Sequence, residues 1–195
     1  MWSSILLILI SLFCCLAVWR RLKGSPHIEY LSYTILLLIT AMFGMEITEA
    51  MVLNRAIELV YVAILLLCMV FLMVVVHELQ PNYARQPLAY SYLPLIIFPF
   101  YYFFIDNQIL ADITALALQG TILIVFGGLI IAYFKRVIKG YLLLIALLLF
   151  LSSFAVHWLV DFESEWITAS VHLTTGAGMI ITSFRFPSVI NKHKR

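Results

Sequence analysis

Charge is scarce in this sequence. Of 195 residues, 12 are Lys or Arg and 10 are Asp or Glu, well below the roughly 25% charged content of an ordinary soluble domain. Hydrophobic residues make up 64% and mean hydropathy is +1.07, which excludes a soluble globular domain. Net charge is only +2, and no basic stretch is interleaved with aromatics, so nucleic acid is not an expected partner. Cysteine is nearly absent. Cys14, Cys15 and Cys68 all lie inside apolar runs, where thiols behave as small hydrophobes. They offer neither a disulfide framework nor a zinc-binding spacing. The sequence has no Gly-rich phosphate loop, no GxSxG elbow and no HExxH. The last apolar run has no lysine at mid-depth, which rules out a retinal Schiff base of the rhodopsin type.

Long apolar runs dominate what is present. They read as seven helices: about Trp2 to Trp19, Glu29 to Glu49, Ala56 to His77, Leu88 to Phe104, Ile109 to Phe134, Gly140 to Val160 and Trp166 to Phe186. Seven spans of about 20 residues would use about 140 residues, leaving only short loops. The expected fold is an all-α membrane protein, a seven-transmembrane-helix bundle over residues 1–186 with a basic tail at 187–195. The first run has no positive flank before it and no small-x-small cleavage site after it, so it is read as a helix and not a signal peptide. Pro94 and Pro99 should bend the fourth helix, whose freed carbonyls neighbours can satisfy.

Charge gives these spans a direction. Arg20, Arg21 and Lys23 follow the first helix, Arg85 the third, Lys135, Arg136 and Lys139 the fifth, and Arg185, Lys192, Lys194 and Arg195 the seventh. These eleven fall on one side, with Arg55 alone on the other. Lys and Arg remain in the cytoplasm, so the N-terminus is expected outside and the C-terminus inside. Eight of the ten acids then lie outside, with Glu29 and Glu78 the exceptions. Short basic inner loops fit a bacterial inner membrane.

The candidate site comes from the outer halves of these helices. Ser153, His157 and Asp161 are spaced four apart, which sets them on one helical face. At 1.5 Å per residue His157 lies roughly 6 Å, and His172 roughly 9 Å, below the outer helix ends. Glu46 and Glu49 end the second helix, and Gln119 lies about 10 Å down the fifth. Ionisable groups inside a membrane helix usually face a bundle interior or cavity. Glu46, Glu49, Gln119, His157, Asp161 and His172 are therefore expected to line an outward-facing polar pocket. Imidazoles with a carboxylate also suit zinc, making His157, Asp161 and His172 a candidate metal set. The same groups could bind a cationic or hydrogen-bonding ligand or sense pH. The plain alternative is a local His157–Asp161 hydrogen bond at the lipid–water boundary. His77 and Glu78 are read as interfacial.

The aromatics of the fourth helix, from Tyr90 to Phe104, read mainly as an interfacial belt. Gly120, Gly127, Gly128 and Thr174-Thr175-Gly176-Ala177-Gly178 read as small-residue patches that admit close helix packing.

The plan resembles the seven-helix N-terminal sensory region of some bacterial histidine kinases. The likeness is carried by the outside N-terminus, Trp19-Arg20-Arg21 closing the first helix, a late Glu in the second (Glu46 or Glu49) and the basic inner end of the seventh. It implies a non-enzymatic receptor-like or sensory module. No kinase domain follows Arg195, so a separate signalling protein, cytoplasmic or in the membrane, is the expected partner. Ser153-Phe-Ala-Val-His157, with Asp161 and His172, is also similar to seven-helix hydrolases of the ceramidase and adiponectin-receptor type. That likeness implies zinc and a lipid substrate, although those enzymes carry paired histidines in the last helix and this chain has only His172. A structural subunit of a larger membrane complex is the third alternative.

Overall fold

The apolar runs fold as helices, and no strand occurs among the described residues. The structure is a computed structural model that describes residues 2–21, 26–48, 54–79, 86–104, 107–133, 141–160 and 165–193. Its elements are α1 (Trp2–Arg21), α2 (Pro26–Ile47), α3 (Asn54–Leu79), a 3-10 helix (Leu88–Ile96) running into α4 (Ile97–Phe104), α5 (Gln108–Tyr133), α6 (Tyr141–Leu159) and α7 (Glu165–His193). Five of them, α1, α2, α3, α5 and α6, are long and apolar enough to cross a membrane. This is the build of a multi-pass integral membrane protein.

Side-chain contacts fix the relative directions of several helices. Ser11 Oγ lies 2.6 Å from Thr40 Oγ1, and Ser4 lies beside Glu46, so α1 and α2 are antiparallel. Ser153 Oγ meets Thr175 Oγ1 at 2.7 Å and Phe150 abuts Gly178, so α6 and α7 are antiparallel too. Ser3 with His172 and Phe13 with Phe184 make α1 and α7 parallel. Around the bundle α1 packs between α2 and α7, α7 against α6, and α6 against α5. Helix α3 packs against α2, the 3-10 segment and α5. It contributes to all three apolar clusters of the core, with Val62, Leu66, Val70, Val74 and Val75 fully buried.

The fourth apolar run is where local winding departs most from expectation. In place of a single bent α-helix, nine residues wind as 3-10 before α4 begins. Pro94 has no N–H to give and its ring crowds the preceding turn, which works against α-helical bonding there. Pro99 lies in the first turn of α4, where a missing N–H costs nothing. A 3-10 helix repeats every three residues, and the exposure follows that period. Tyr90, Leu93 and Ile96 face outward at 54%, 51% and 56% exposure, while Ser91 is buried.

Helix α7 also differs from its expected extent. The apolar run ends near Phe186, but the helix continues through Pro187 to His193, so most of the expected tail is helical. Its Ser170, Thr174 and Thr182 hydroxyls donate to carbonyls four residues back, at 2.8–3.0 Å. These bonds satisfy the polar atoms within the helix itself.

The expected small-residue patches divide in two. A Cβ on Gly176 would come within 2.7 Å of the terminal methyl of Ile10, and one on Gly178 within 2.9 Å of the Phe150 ring; at Gly178 a larger residue would have to displace the ring, whereas at Gly176 the flexible end of Ile10 could move aside. Gly120 and Gly128 have open space beside them, and Gly127 would make only ordinary contact with Leu147. Close packing therefore belongs to α7, and the glycines of α5 do not provide it.

Candidate functional site

Polar side chains gather at the end of the bundle that holds Trp2, and they form two groups. The first lies between α1, α2 and α7. Glycine at position 176 lets α1 approach α7 closely at Leu7 and Ile10, which brings the start of α1 beside His172. The imidazole Nδ1 lies 3.0 Å from Ser3 Oγ. The Phe43 ring meets the imidazole edge to face at 5.1 Å. One residue on, the buried Ser4 lies beside Glu46 of α2. Adjacent serines of α1 thus lie next to one ionisable group of α7 and one of α2.

The second group lies between α3, α5 and α6. Gln119 donates from Nε2 to the Tyr61 hydroxyl, and its Oε1 accepts from the Trp158 indole N–H. Both ends of the amide are engaged by protein. His157 is exposed on α6, its ring edge-on to Trp158 at 5.2 Å. The charge of Asp112 on α5 reaches it. Tyr101 of α4 lies within reach of both Glu58 and Asp112.

The six expected site residues distribute as follows. Glu46 and His172 meet α1 through neighbouring serines. Gln119 and His157 belong to the other group, joined through Trp158. Glu49 and Asp161 lie outside the described residues. Of the four described members, Glu46 and His172 lie next to α1, and Gln119 and His157 meet Trp158. Depth along a helix follows from residue number, but the face a side chain presents depends on which helices pack beside it. Helix α7 turns His172 toward α1 and α2, whereas the last turn of α6 sets Trp158 toward α5.

Sequence reasoning missed Ser3, Ser4, Phe43, Tyr61 and Trp158. A signal for the last two was present, since a buried Tyr or Trp usually finds a partner for its polar tip, and Gln119 was an isolated amide in an apolar helix. Ser153, matched above to the hydrolases, is buried and paired with Thr175. Among the described residues no group of three or more His, Cys, Asp or Glu is arranged to hold a metal ion. Compared with known proteins, the chain matches no family model, no curated protein and no solved structure.

Proposed function

We propose that this protein is a receptor-like or sensory membrane module, with seven spans, an outside N-terminus and a cytoplasmic C-terminus. The α1–α2–α7 junction is its responsive part. The lopsided distribution of Lys and Arg supports the orientation. The internally bonded hydroxyls of α7 support a seventh span despite its polar composition. The observation that carries the functional reading is the His172–Ser3 contact at 3.0 Å, with Glu46 beside the next serine of α1. These are ionisable groups placed beside an interhelical seam, and His172 meets a small hydroxyl that can rotate to donate or accept.

A proton or hydrogen-bonding ligand that changes His172 changes the bond between α1 and α7. Because α7 runs as one helix to His193, through Pro187, a shift at its outer end can be carried toward the inner surface. A partner protein there receives it. The bacterial inner membrane is the membrane this charge pattern fits.

The test is thermal melting of the purified protein from about pH 5 to pH 8, the range in which histidine ordinarily titrates, for wild type, His172→Ala and Ser3→Ala. The expected result is a pH-dependent melting profile in wild type that both variants flatten. Identical profiles in all three would remove the sensory reading. Zinc at one equivalent in the purified protein, lost on His157→Ala, would instead favour the metal-dependent lipid hydrolase.

A further inference from the structure

We propose that the 3-10 segment Leu88–Ile96 is a winding switch. It exchanges between its 3-10 form and a shorter α-helical form, and so moves α4 along α3. This does not rest on the sensory reading. It rests on two residues of the segment that favour opposite windings. Runs of 3-10 helix beyond three or four residues are uncommon, and a longer one often marks a hinge. This one extends for nine residues.

Pro94 opposes the α form. It has no N–H for the carbonyl of Tyr90, four residues back, and its ring would crowd that carbonyl. Ser91 opposes the 3-10 form. It is buried, at 5% exposure, in a segment that packs against α3. Among the described residues its hydroxyl makes no hydrogen bond. The α-helices show what it lacks. Ser32, Thr34, Thr40, Thr114 and Thr121 each donate to the carbonyl four residues back, at 2.7–2.9 Å. For Ser91 that carbonyl belongs to Pro87, and in the 3-10 winding it accepts from the Tyr90 N–H at 3.0 Å. An α winding would bring the Ser91 N–H and hydroxyl to it together. A buried hydroxyl without a partner and a proline inside a helix are penalties of similar size. Set against each other, they leave the two windings close enough in free energy to exchange.

The ends of the segment decide where the change is felt. Before its start, Nε2 of His77 lies 3.0 Å from the Gln86 carbonyl oxygen, which ties that end to α3. Rewinding nine residues from about 2.0 to 1.5 Å each shortens the segment by about 5 Å. With the start tied, the displacement falls on α4. There Tyr101 is buried in the cluster that includes Val62 and Leu66 of α3 and Ala111 and Ala115 of α5, within reach of the Glu58 and Asp112 charges. The winding of the segment thereby sets where Tyr101 stands against α3 and α5.

The experiment measures the length of the segment by double electron–electron resonance on the full chain in nanodiscs. Spin labels are carried at Gln86→Cys and Tyr102→Cys, both exposed positions, with the three native cysteines replaced by alanine. Without further change the longer distance should dominate. Pro94→Ala should raise a second distance, about 5 Å shorter, at least about tenfold in population. Adding Ser91→Ala to that variant should return the population toward the longer distance by about fivefold. A single distance, unchanged by Pro94→Ala, overturns the proposal. So does a Pro94→Ala population that Ser91→Ala leaves unaltered. If Pro94→Ala no longer melts cooperatively, Pro94→Leu takes its place, with the same results expected and the same results overturning.

Discussion

Helix α6 has two neighbours, and it meets them by different physics. Against α7 the contact is steric: Gly178 leaves room for the Phe150 ring, and Ser153 pairs with Thr175 one turn away. Against α5 the approach is less extensive, and a polar clasp anchors it, with the Gln119 amide joining Trp158 of α6 to Tyr61 of α3. In lipid, burying apolar side chains between helices gains little over leaving them in acyl chains. Packing and interhelical hydrogen bonds carry the association instead. The two seams of α6 show each of these terms at work separately.

Five substitutions test that contrast, each read as a shift in the unfolding midpoint of the purified protein. Gly178→Val should cost about 3 kcal/mol, since it drives a branched side chain into a ring that Phe126 holds from the other side at 6.2 Å. A cost below about 1 kcal/mol would mean the α6–α7 seam yields easily and is not steric. Gln119→Leu should cost about 2 kcal/mol, because it leaves a phenol and an indole N–H without their partner. Tyr61→Phe in the Gln119→Leu background should then recover part of that loss. Failure to recover any would show that the amide acts by shape alone. Ser153→Ala should cost about 1 kcal/mol, within the range of single interhelical hydrogen bonds in membranes. Smallest of all, Gly128→Ala should stabilise by about 0.5 kcal/mol, because the site is open and alanine is the better helix former. Destabilisation there would reveal a close neighbour beside α5.

Much of the fold was legible in the sequence, because a bilayer imposes a length and a composition on whatever crosses it. The runs from Trp2, Leu88, Ile109 and Trp166 begin within a residue or two of the helices they form. Helix ends were less legible where polarity and winding part company. An apolar run stops where the bilayer stops, but a helix such as α7 continues for as long as its backbone bonds do. The site was legible in depth and illegible in azimuth. Counting residues placed Glu46, Gln119, His157 and His172 near one end of the bundle, yet nothing local shows that Gln119 will meet residues 58 and 39 positions away. Those partners exist only once α3, α5 and α6 are packed. The serines at positions 3 and 4 were overlooked for a related reason: beside a hydrophobic run they read as its edge, and only the packed helices bring ionisable groups to them.

The unusual winding after Pro87 changes how far a short segment can reach. Nine residues at about 2.0 Å each, followed by eight at 1.5 Å, extend about 30 Å, the full depth of a hydrocarbon layer. Wound entirely as α-helix, the same residues from Leu88 to Phe104 would stop about 5 Å short. Tighter coiling lets seventeen residues cover a distance that otherwise takes twenty. In the seven-span arrangement proposed above, an insertion of three residues here would lengthen a segment already matched to the hydrocarbon layer, and the bilayer would have to thicken or the helix tilt to receive it.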